Sequence, residues 1–208
     1  MMEIKIYLEG GGDSKEQRAR CREGLSKLMQ KAGFTGRLPS TDACGGRSNT
    51  FRDFQISLEN KNRISLLLVD SEDPIVDLTD EVDNDFGWRH LKTRDGWERP
   101  KNTSNYQVIL MATCMESWIA ADREALKEYY GTAYLQENAL PPLFDLENRH
   151  RHTVQEALLK ATKTSKKFYK KGERSFDILA SVDPNTLSKH LSQFRRFIEV
   201  LKKVLQSR

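Results

Sequence analysis

The stretch ISLLLVDSED, residues 64–73, joins an apolar run to a cluster of acids. Residues 64–69 are short and almost entirely apolar, which is typical of a central strand buried on both faces of a sheet. Asp70 follows directly, and an unpaired carboxylate at the end of a buried strand is costly to desolvate. The stretch therefore predicts a core strand that ends in an acid badly placed for burial alone.

Upstream of this strand, residues 3–8 alternate apolar and polar side chains, which predicts another strand. A capping box at Ser14 and an apolar stripe predict a helix that ends at Gly33. A short extended piece at 36–42 and a helix over 48–60 follow. The order β-α-β-α-β predicts a parallel sheet that is covered by helices.

Downstream of the core strand, residues 74–104 are acidic and then rich in turn residues. We predict a long insertion or loop there, near the active edge, and expect it to be the most mobile segment, because its acids repel one another without a cation. Apolar periodicity and turn residues predict the remaining elements. These are a strand over 106–113 and helices over 116–130, 148–163 and 184–205.

Together these elements place the chain in the α/β class. We predict a parallel-rich sheet of about four strands, flanked by helices, within residues 1–135. Residues 74–104 form its acidic insertion, and residues 136–208 form a helical C-terminal portion packed on the same domain. A length of 208 residues suits one domain with insertions.

Composition narrows the classes of protein to which the chain can belong. No apolar run approaches the ~20 residues that a bilayer-spanning helix needs, and the N-terminal residues show no signal peptide. The three cysteines are widely spaced, which fits a reduced cytosol and argues against a disulfide framework. We therefore expect a cytoplasmic protein with no membrane partner.

The net charge of +4 conceals two opposite clusters. Residues 70–85 carry eight acids and no base, whereas residues 160–174, here called the basic strip, carry six lysines and one arginine against one glutamate. An acidic cluster and a basic strip in one chain suggest a cation site beside a polyanion site. The alternative is that both runs are solvated surface.

Glu9 and Asp70 each end a predicted strand. In an open parallel sheet, ligands bind at the carboxyl ends of the strands, so both acids point to one edge. A hard divalent cation binds oxygen ligands and offsets the repulsion between carboxylates. The Gly10–Gly12 turn would let backbone approach a phosphate closely. The alternative is that Glu9 and Asp70 are helix caps or loop acids.

The pattern of a strand ending in Glu-Gly, then helix, strand, helix and a hydrophobic strand closing on Asp-x-acid resembles a Toprim domain. Glu9 matches the invariant Glu of that domain, and Asp70-Ser71-Glu72 matches its Asp-x-Asp. The second acid is Glu in this chain. That departure leaves open whether Glu72 or Asp73 is the metal ligand.

The chain also resembles a narrower family of small, stand-alone, OLD-like Toprim proteins, often encoded beside an AAA or ABC-type ATPase in bacterial genomes. The segments that match are IYLEGGGD, GGRSNTFRDF, LLLVDSED, MATCMESWIAAD and YKKGERSFDILASVDPNTLSKHLSQFRRFI. The resemblance implies a nuclease that uses Mg²⁺ or Mn²⁺, with two ions, to cleave DNA or RNA within an ATPase-linked anti-phage defence system. The alternative is a non-catalytic regulatory or docking partner of the ATPase. No G-x-x-x-x-G-K-[ST] occurs, so this chain does not bind ATP through a P-loop.

The resemblance also assigns roles to particular residues. The expected metal ligands are Glu9, Asp70, Glu72, Asp73, Glu116 and Asp122. The expected catalytic residues are Glu9, Asp70, Glu72 and Lys171, with Arg47 and Lys170 as alternative cations for the developing phosphate charge. Asp122 could equally be a surface helix acid, and Trp118 is expected in the core or under the site.

The expected nucleic-acid contacts combine cations with an aromatic residue, since a lysine-rich strip with Phe168 and Tyr169 suits backbone contacts and stacking on an unpaired strand. They are Arg47, Lys163, Lys166, Lys167, Tyr169, Lys170 and Lys171. The expected partners are thus nucleic acid and an ATPase subunit, with a homodimer as a further option.

Overall fold

The computed structural model describes residues 2–172 and 174–206, and within them four parallel strands form one sheet in the order β2-β1-β3-β4. The predicted α/β class with a parallel sheet is confirmed. The strands are β1 (Glu3–Glu9), β2 (Ser40–Gly45), β3 (Arg63–Asp70) and β4 (Val108–Met111).

Helices flank the sheet on both faces. In chain order they are α1 (Lys15–Met29), α2 (Arg47–Ser57), α3 (Phe86–Asp95), α4 (Met115–Ala121), α5 (Arg123–Tyr130), α6 (Arg151–Thr162), α7 (Ser175–Ser181), α8 (Pro184–His190) and α9 (Ser192–Gln206). Ser14 caps α1, because its hydroxyl accepts a hydrogen bond from the Gln17 backbone N–H. The predicted capping box is only half formed, since the Gln17 side-chain oxygen has no hydrogen-bond partner.

β3 is buried on both faces, as its apolar run predicted. Leu66 and Leu68 contribute to the larger core cluster, which includes residues of α1, α4 and the C-terminal helices. Leu67 and Val69 face the other side and join a second cluster with Phe54 of α2 and Trp88 of α3. The period of two along a strand therefore divides one apolar run between two cores.

Two helices that the apolar pattern predicted as continuous are each divided by a cap. Asp122 separates α4 from α5, and its carboxylate accepts the backbone N–H of Ala125. Leu191 separates α8 from α9, where Glu147 accepts the backbone N–H of Ser192. Apolar spacing continues across both breaks, which is why periodicity alone did not reveal them.

The second strand also differs from its prediction. β2 spans Ser40–Gly45 and therefore lies later than the predicted extended piece at 36–42.

The insertion 74–104 is not a loop throughout, because α3 forms inside it. Phe86, Trp88 and Leu91 are buried, at a spacing that puts them on one face of the helix. Gly87 permits close packing on β4, since a Cβ there would lie 2.8 Å from Val108 Cγ1. The loop alternative of the prediction is therefore wrong for Phe86–Asp95.

The C-terminal portion packs on the sheet domain at several places. α7 contacts α1, α6 contacts α4, and α9 contacts β4. Among the described residues no helix is both long enough and apolar enough to cross a membrane.

Candidate active site at the carboxyl edge of the sheet

The carboxyl ends of β1 and β3 border a cavity of about 510 Å³. Glu9 ends β1, Asp70 ends β3, Glu116 lies in the first turn of α4, and all three line this cavity. Lys171 from the basic strip lines it as well. The structure thus brings together three of the predicted metal ligands and the predicted catalytic lysine.

Glu9 is held by two donors from neighbouring elements. Its Oε2 accepts a hydrogen bond from Arg47 Nη1 at 3.1 Å and from the Asp70 backbone N–H at 3.3 Å. Burial raises the pKa of Glu9, the Arg47 charge opposes that rise, and the Glu72 charge adds to it. The balance leaves the pKa above its usual value.

Asp70 is buried beside two other acids, Glu9 and Glu116. Its Oδ1 accepts the backbone N–H of Met115, at the start of α4, at 2.9 Å. Burial and the negative charges of Glu9 and Glu116 raise the pKa of Asp70 well above its usual value. The three carboxylates therefore repel one another within one cavity.

Glu116 is fully buried and is held by neutral donors. Tyr169 Oη donates to Glu116 Oε1 at 2.7 Å, and Gln155 Nε2 donates to Oε2 at 3.3 Å. The Tyr169 hydroxyl also lies 2.8 Å from Ser175 Oγ. A chain of polar groups from α6, the basic strip and α7 therefore orients this carboxylate.

Lys171 is exposed and faces the same acids. Desolvation lowers the pKa of Lys171, but the charges of Glu116 and Asp70 outweigh it and raise that pKa above its usual value. The ammonium group is therefore kept charged beside the cavity.

One wall of the cavity is suited to an anion. Gly11 and Gly12 have positive φ, and a Cβ on Gly11 would lie 2.6 Å from Arg18 Cα, so the turn requires glycine there. Arg18 Nε donates to the Gly12 carbonyl at 2.8 Å. Ser14 and Gln17, in the N-terminal turn of α1, also line the cavity. A helix N-terminus favours negative charge through its unpaired N–H groups and its dipole.

Glu72 and Asp73 do not line this cavity. Arg94 and Arg151 both form ion pairs with Glu72. Asp73 pairs with Arg94 at 3.0 Å, and His150 Nε2 lies 3.5 Å from its Oδ1. The structure places both predicted ligands in an arginine network and outside the cavity.

Arg47 supports Glu9 instead of presenting a free cation to phosphate. It donates to both oxygens of Asp95, at 2.9 and 2.7 Å, and its guanidinium lies 5.0 Å from the centre of the Trp97 ring. Trp97 in turn stacks on Phe51, with ring centres 4.2 Å apart. Arg47 is therefore a positioning residue.

Three further residues that the sequence analysis singled out are buried in the fold. Asp122 is buried, caps α5 and accepts the Asp183 backbone N–H at 2.7 Å, so it lies neither in the cavity nor on the surface. Tyr169 is also buried, which leaves no face for stacking on a base. Trp118 is a core residue that packs on Phe194. By contrast, Lys163, Lys166, Lys167 and Lys170 are exposed, as a nucleic-acid contact requires.

The sequence analysis missed the side chains that hold the functional ones. Asp95 binds Arg47 from 48 residues away, and Gln155 binds Glu116 from 39 residues away. No motif marks either pair. Ser175 lies inside the segment that carried the resemblance, but nothing in that segment showed that its hydroxyl meets Tyr169.

No group of three or more His, Cys, Asp and Glu side chains is placed to hold a metal ion within residues 2–172 and 174–206. The donor chemistry of the cavity nevertheless fits a hard divalent cation, because Glu9, Asp70 and Glu116 supply only carboxylate oxygens. A cation bound between these carboxylates would offset the repulsion between their negative charges.

Comparison with known proteins places most of the chain within one family model. That model is described as "Domain of unknown function (DUF4276)" and matches residues 8–202. No curated protein matches the chain, and no solved structure does.

Proposed function

The chain belongs to the DUF4276 family, a domain of unknown function, and we propose that it is a divalent-metal-dependent nuclease that hydrolyses phosphodiesters of DNA or RNA. The observation that carries the proposal is the meeting of Glu9, Asp70 and Glu116 with Lys171 in one cavity at the carboxyl edge of a parallel sheet. That edge is where ligands bind in open α/β sheets.

Carboxylates of this kind would hold Mg²⁺ or Mn²⁺. Bound there, the cation would lower the pKa of a water molecule and neutralise charge on a phosphate. The resemblance to OLD-like Toprim nucleases adds the prediction of two ions. It also proposes Glu72 as a ligand, but the arginine pairs of Glu72 favour a set of Glu9, Asp70 and Glu116.

The remaining groups of the site are suited to bind and orient a phosphodiester. Lys171 would donate to one phosphate oxygen, and the N-terminus of α1, together with the Gly11–Gly12 part of the turn, would face another. The backbone N–H of Gly10 is already donated to the Gly45 carbonyl. Water attacks phosphorus, the bond to the leaving oxygen breaks, and the proton released from water ends on that leaving oxygen or in solvent. Arg47 and Tyr169 keep Glu9 and Glu116 in place.

The test is cleavage of labelled DNA and RNA in Mg²⁺ and in Mn²⁺ by wild type, Glu9→Gln and Asp70→Asn. Both variants should lose activity by about a hundredfold or more, because each removes an expected cation ligand while preserving side-chain shape. Asp13→Asn is the matched control, since Asp13 lines the same cavity but its side chain is fully exposed. Full activity in Asp70→Asn would contradict the proposal.

Metal binding is measured independently by thermal melting. A cation that binds only the folded state stabilises it by mass action, so the Tm of wild type should rise with added Mn²⁺. The Tm of Asp70→Asn should not rise. An equal rise in both proteins would mean that the metal binds elsewhere.

The alternative function is a non-catalytic regulatory or docking partner of an AAA or ABC-type ATPase. The observations that favour it are the ion pairs that already engage Glu9 and Glu72. No cleavage by wild type on any substrate, with no Tm response to metal, would support this alternative. The ATPase partner, the antiviral role, the homodimer and the cytoplasmic location stay predictions of the sequence.

A further inference from the structure

A second cavity, of about 490 Å³, lies between α6 and the basic strip. We call it the Phe168 groove, since Phe168 and Leu159 line it and remain 48% and 46% exposed. Most large apolar side chains of this protein are buried. These two half-exposed side chains give the groove an apolar face on which a flat ring can pack.

The Phe168 groove shares a wall with the proposed active site. Lys171 lines both cavities, and Tyr169 and Gln155 line the groove while donating to Glu116 in the active site. A ligand in the groove would therefore lie next to the residues that orient a catalytic carboxylate.

The charge around the groove indicates a polyanion. Lys170 and Lys171 line it, and Lys166 and Lys167 are exposed just before Phe168 in the chain. Among the described residues that line the groove, Glu156 is the single acid. An apolar face bordered by lysines fits a ligand that carries a flat apolar surface on an anionic backbone, which a purely apolar protein segment would not match.

We infer that the Phe168 groove binds an unpaired base of a nucleic-acid strand, stacked on the Phe168 ring, while the neighbouring phosphates contact the lysines of the basic strip. This rests on the proposed function and specifies its substrate class as single-stranded nucleic acid. A base within a duplex is already stacked on both faces, so it cannot offer a face to Phe168. The strand leaving the groove passes Lys171 into the active site.

The experiment measures binding of labelled oligothymidylate, oligouridylate and a mixed-sequence duplex by fluorescence anisotropy, in EDTA so that no cleavage occurs. Phe168→Ala should weaken single-strand binding about tenfold, as expected for the loss of one stacked base. Phe168→Trp should keep the affinity, because it keeps an aromatic face. Phe144→Ala is the matched control, since Phe144 is 87% exposed and does not line the groove.

The proposal predicts that Phe168→Ala leaves duplex binding unchanged. It is overturned if Phe168→Ala binds single strands like wild type, if it loses single-strand and duplex affinity equally, or if oligonucleotides do not bind at all, in which case a protein segment is the better occupant.

The two proposals fail separately. Binding that depends on Phe168, without cleavage in any metal, would reject the nuclease and keep the groove. Cleavage that depends on Glu9 and Asp70, with binding indifferent to Phe168, would reject the groove and keep the nuclease.

Discussion

Single side-chain contacts decide which acids of the DSED segment take part in the site. Asp70 lines the cavity, whereas Glu72 and Asp73, two and three residues later, meet Arg94 on another side of the turn. Glu72 has a φ of 64°, in the left-handed region, which turns the chain away from the strand direction. Acids that are neighbours in the sequence therefore serve different networks.

The Tyr169→Phe variant tests how much the hydrogen bond from Tyr169 to Glu116 contributes to stability. Tyr169→Phe removes the hydroxyl that donates to the fully buried Glu116, so we expect a loss of about 1–3 kcal/mol in the free energy of unfolding. Urea denaturation measures it. Tyr134→Phe, at a half-exposed tyrosine, should change stability little. Equal stability of Tyr169→Phe and wild type would show that the hydrogen bond contributes nothing net.

Glu147 gives a test by pH. Burial raises its pKa above the usual 4.5, although the hydrogen bonds from Ser192 and Gln193 oppose the shift. The folded state therefore holds the proton more tightly than the unfolded chain, and this contribution to stability falls as pH rises from about 4.5 through the folded pKa.

Glu147→Gln removes that titration. The stability advantage of wild type over Glu147→Gln, measured by denaturation between pH 4 and pH 7, should shrink as pH rises. Glu199→Gln, at an exposed acid of α9, the helix whose first residues donate to Glu147, controls for the loss of one charge. An advantage that grows with pH would contradict the predicted direction.

At the scale of elements, caps decide where the helices end. Asp122 closes the break between α4 and α5 and also accepts a backbone N–H from Asp183, at the start of α8. One carboxylate thus joins the start of α5 to the start of α8. Its role is structural in this fold, although the resemblance had assigned it to the metal.

Asp122→Ala separates these two roles. We expect a loss of about 2 kcal/mol or more in the free energy of unfolding, because a helix cap and the partner of the Asp183 N–H disappear together. Glu124→Ala, at the exposed acid of the same first turn, should cost less. Added Mn²⁺ should raise the Tm of Asp122→Ala by the same amount as it raises the Tm of wild type. Loss of that response with unchanged stability would restore Asp122 as a ligand.

At the scale of the whole molecule, one buried arginine ties the acidic insertion to the C-terminal helix and the sheet. Arg196 of α9 is fully buried and donates to the carbonyls of Glu81, Val82, Asn105 and Val108. Its guanidinium also lies 5.1 Å from the centre of the Phe86 ring. The expectation that residues 74–104 are the most mobile segment must now be tested against this anchor.

Arg196→Met should therefore lower the free energy of unfolding by about 3 kcal/mol or more, since it leaves several buried carbonyls without a donor. Amide hydrogen exchange should accelerate around residues 79–83 before it does in β3. Arg195→Met is the matched control, because the neighbouring Arg195 is half exposed and its pair with Asp80 is worth at most about 1 kcal/mol. Similar exchange in both variants would show that Arg196 does not hold the insertion.

Local patterns determined the central features of the fold. The alternation of residues 3–8 and the apolar run 64–69 predicted two strands, because side-chain period and burial of a strand are properties of adjacent residues. Because parallel strands end at a common edge of the sheet, these two strands also predicted that Glu9 and Asp70 lie close together. Both acids line one cavity, so this much of the candidate site followed from the sequence.

Only the tertiary structure decided the rest of the site. Whether an acid faces a cavity, an arginine or a helix terminus depends on residues far along the chain, such as Arg151 for Glu72 or Tyr169 for Glu116. The same holds for Tyr169, whose burial left Phe168 as the exposed aromatic residue of the strip. The spacing of charges in a sequence does not encode such partners, because the packing of the apolar core determines which distant side chains lie next to each other.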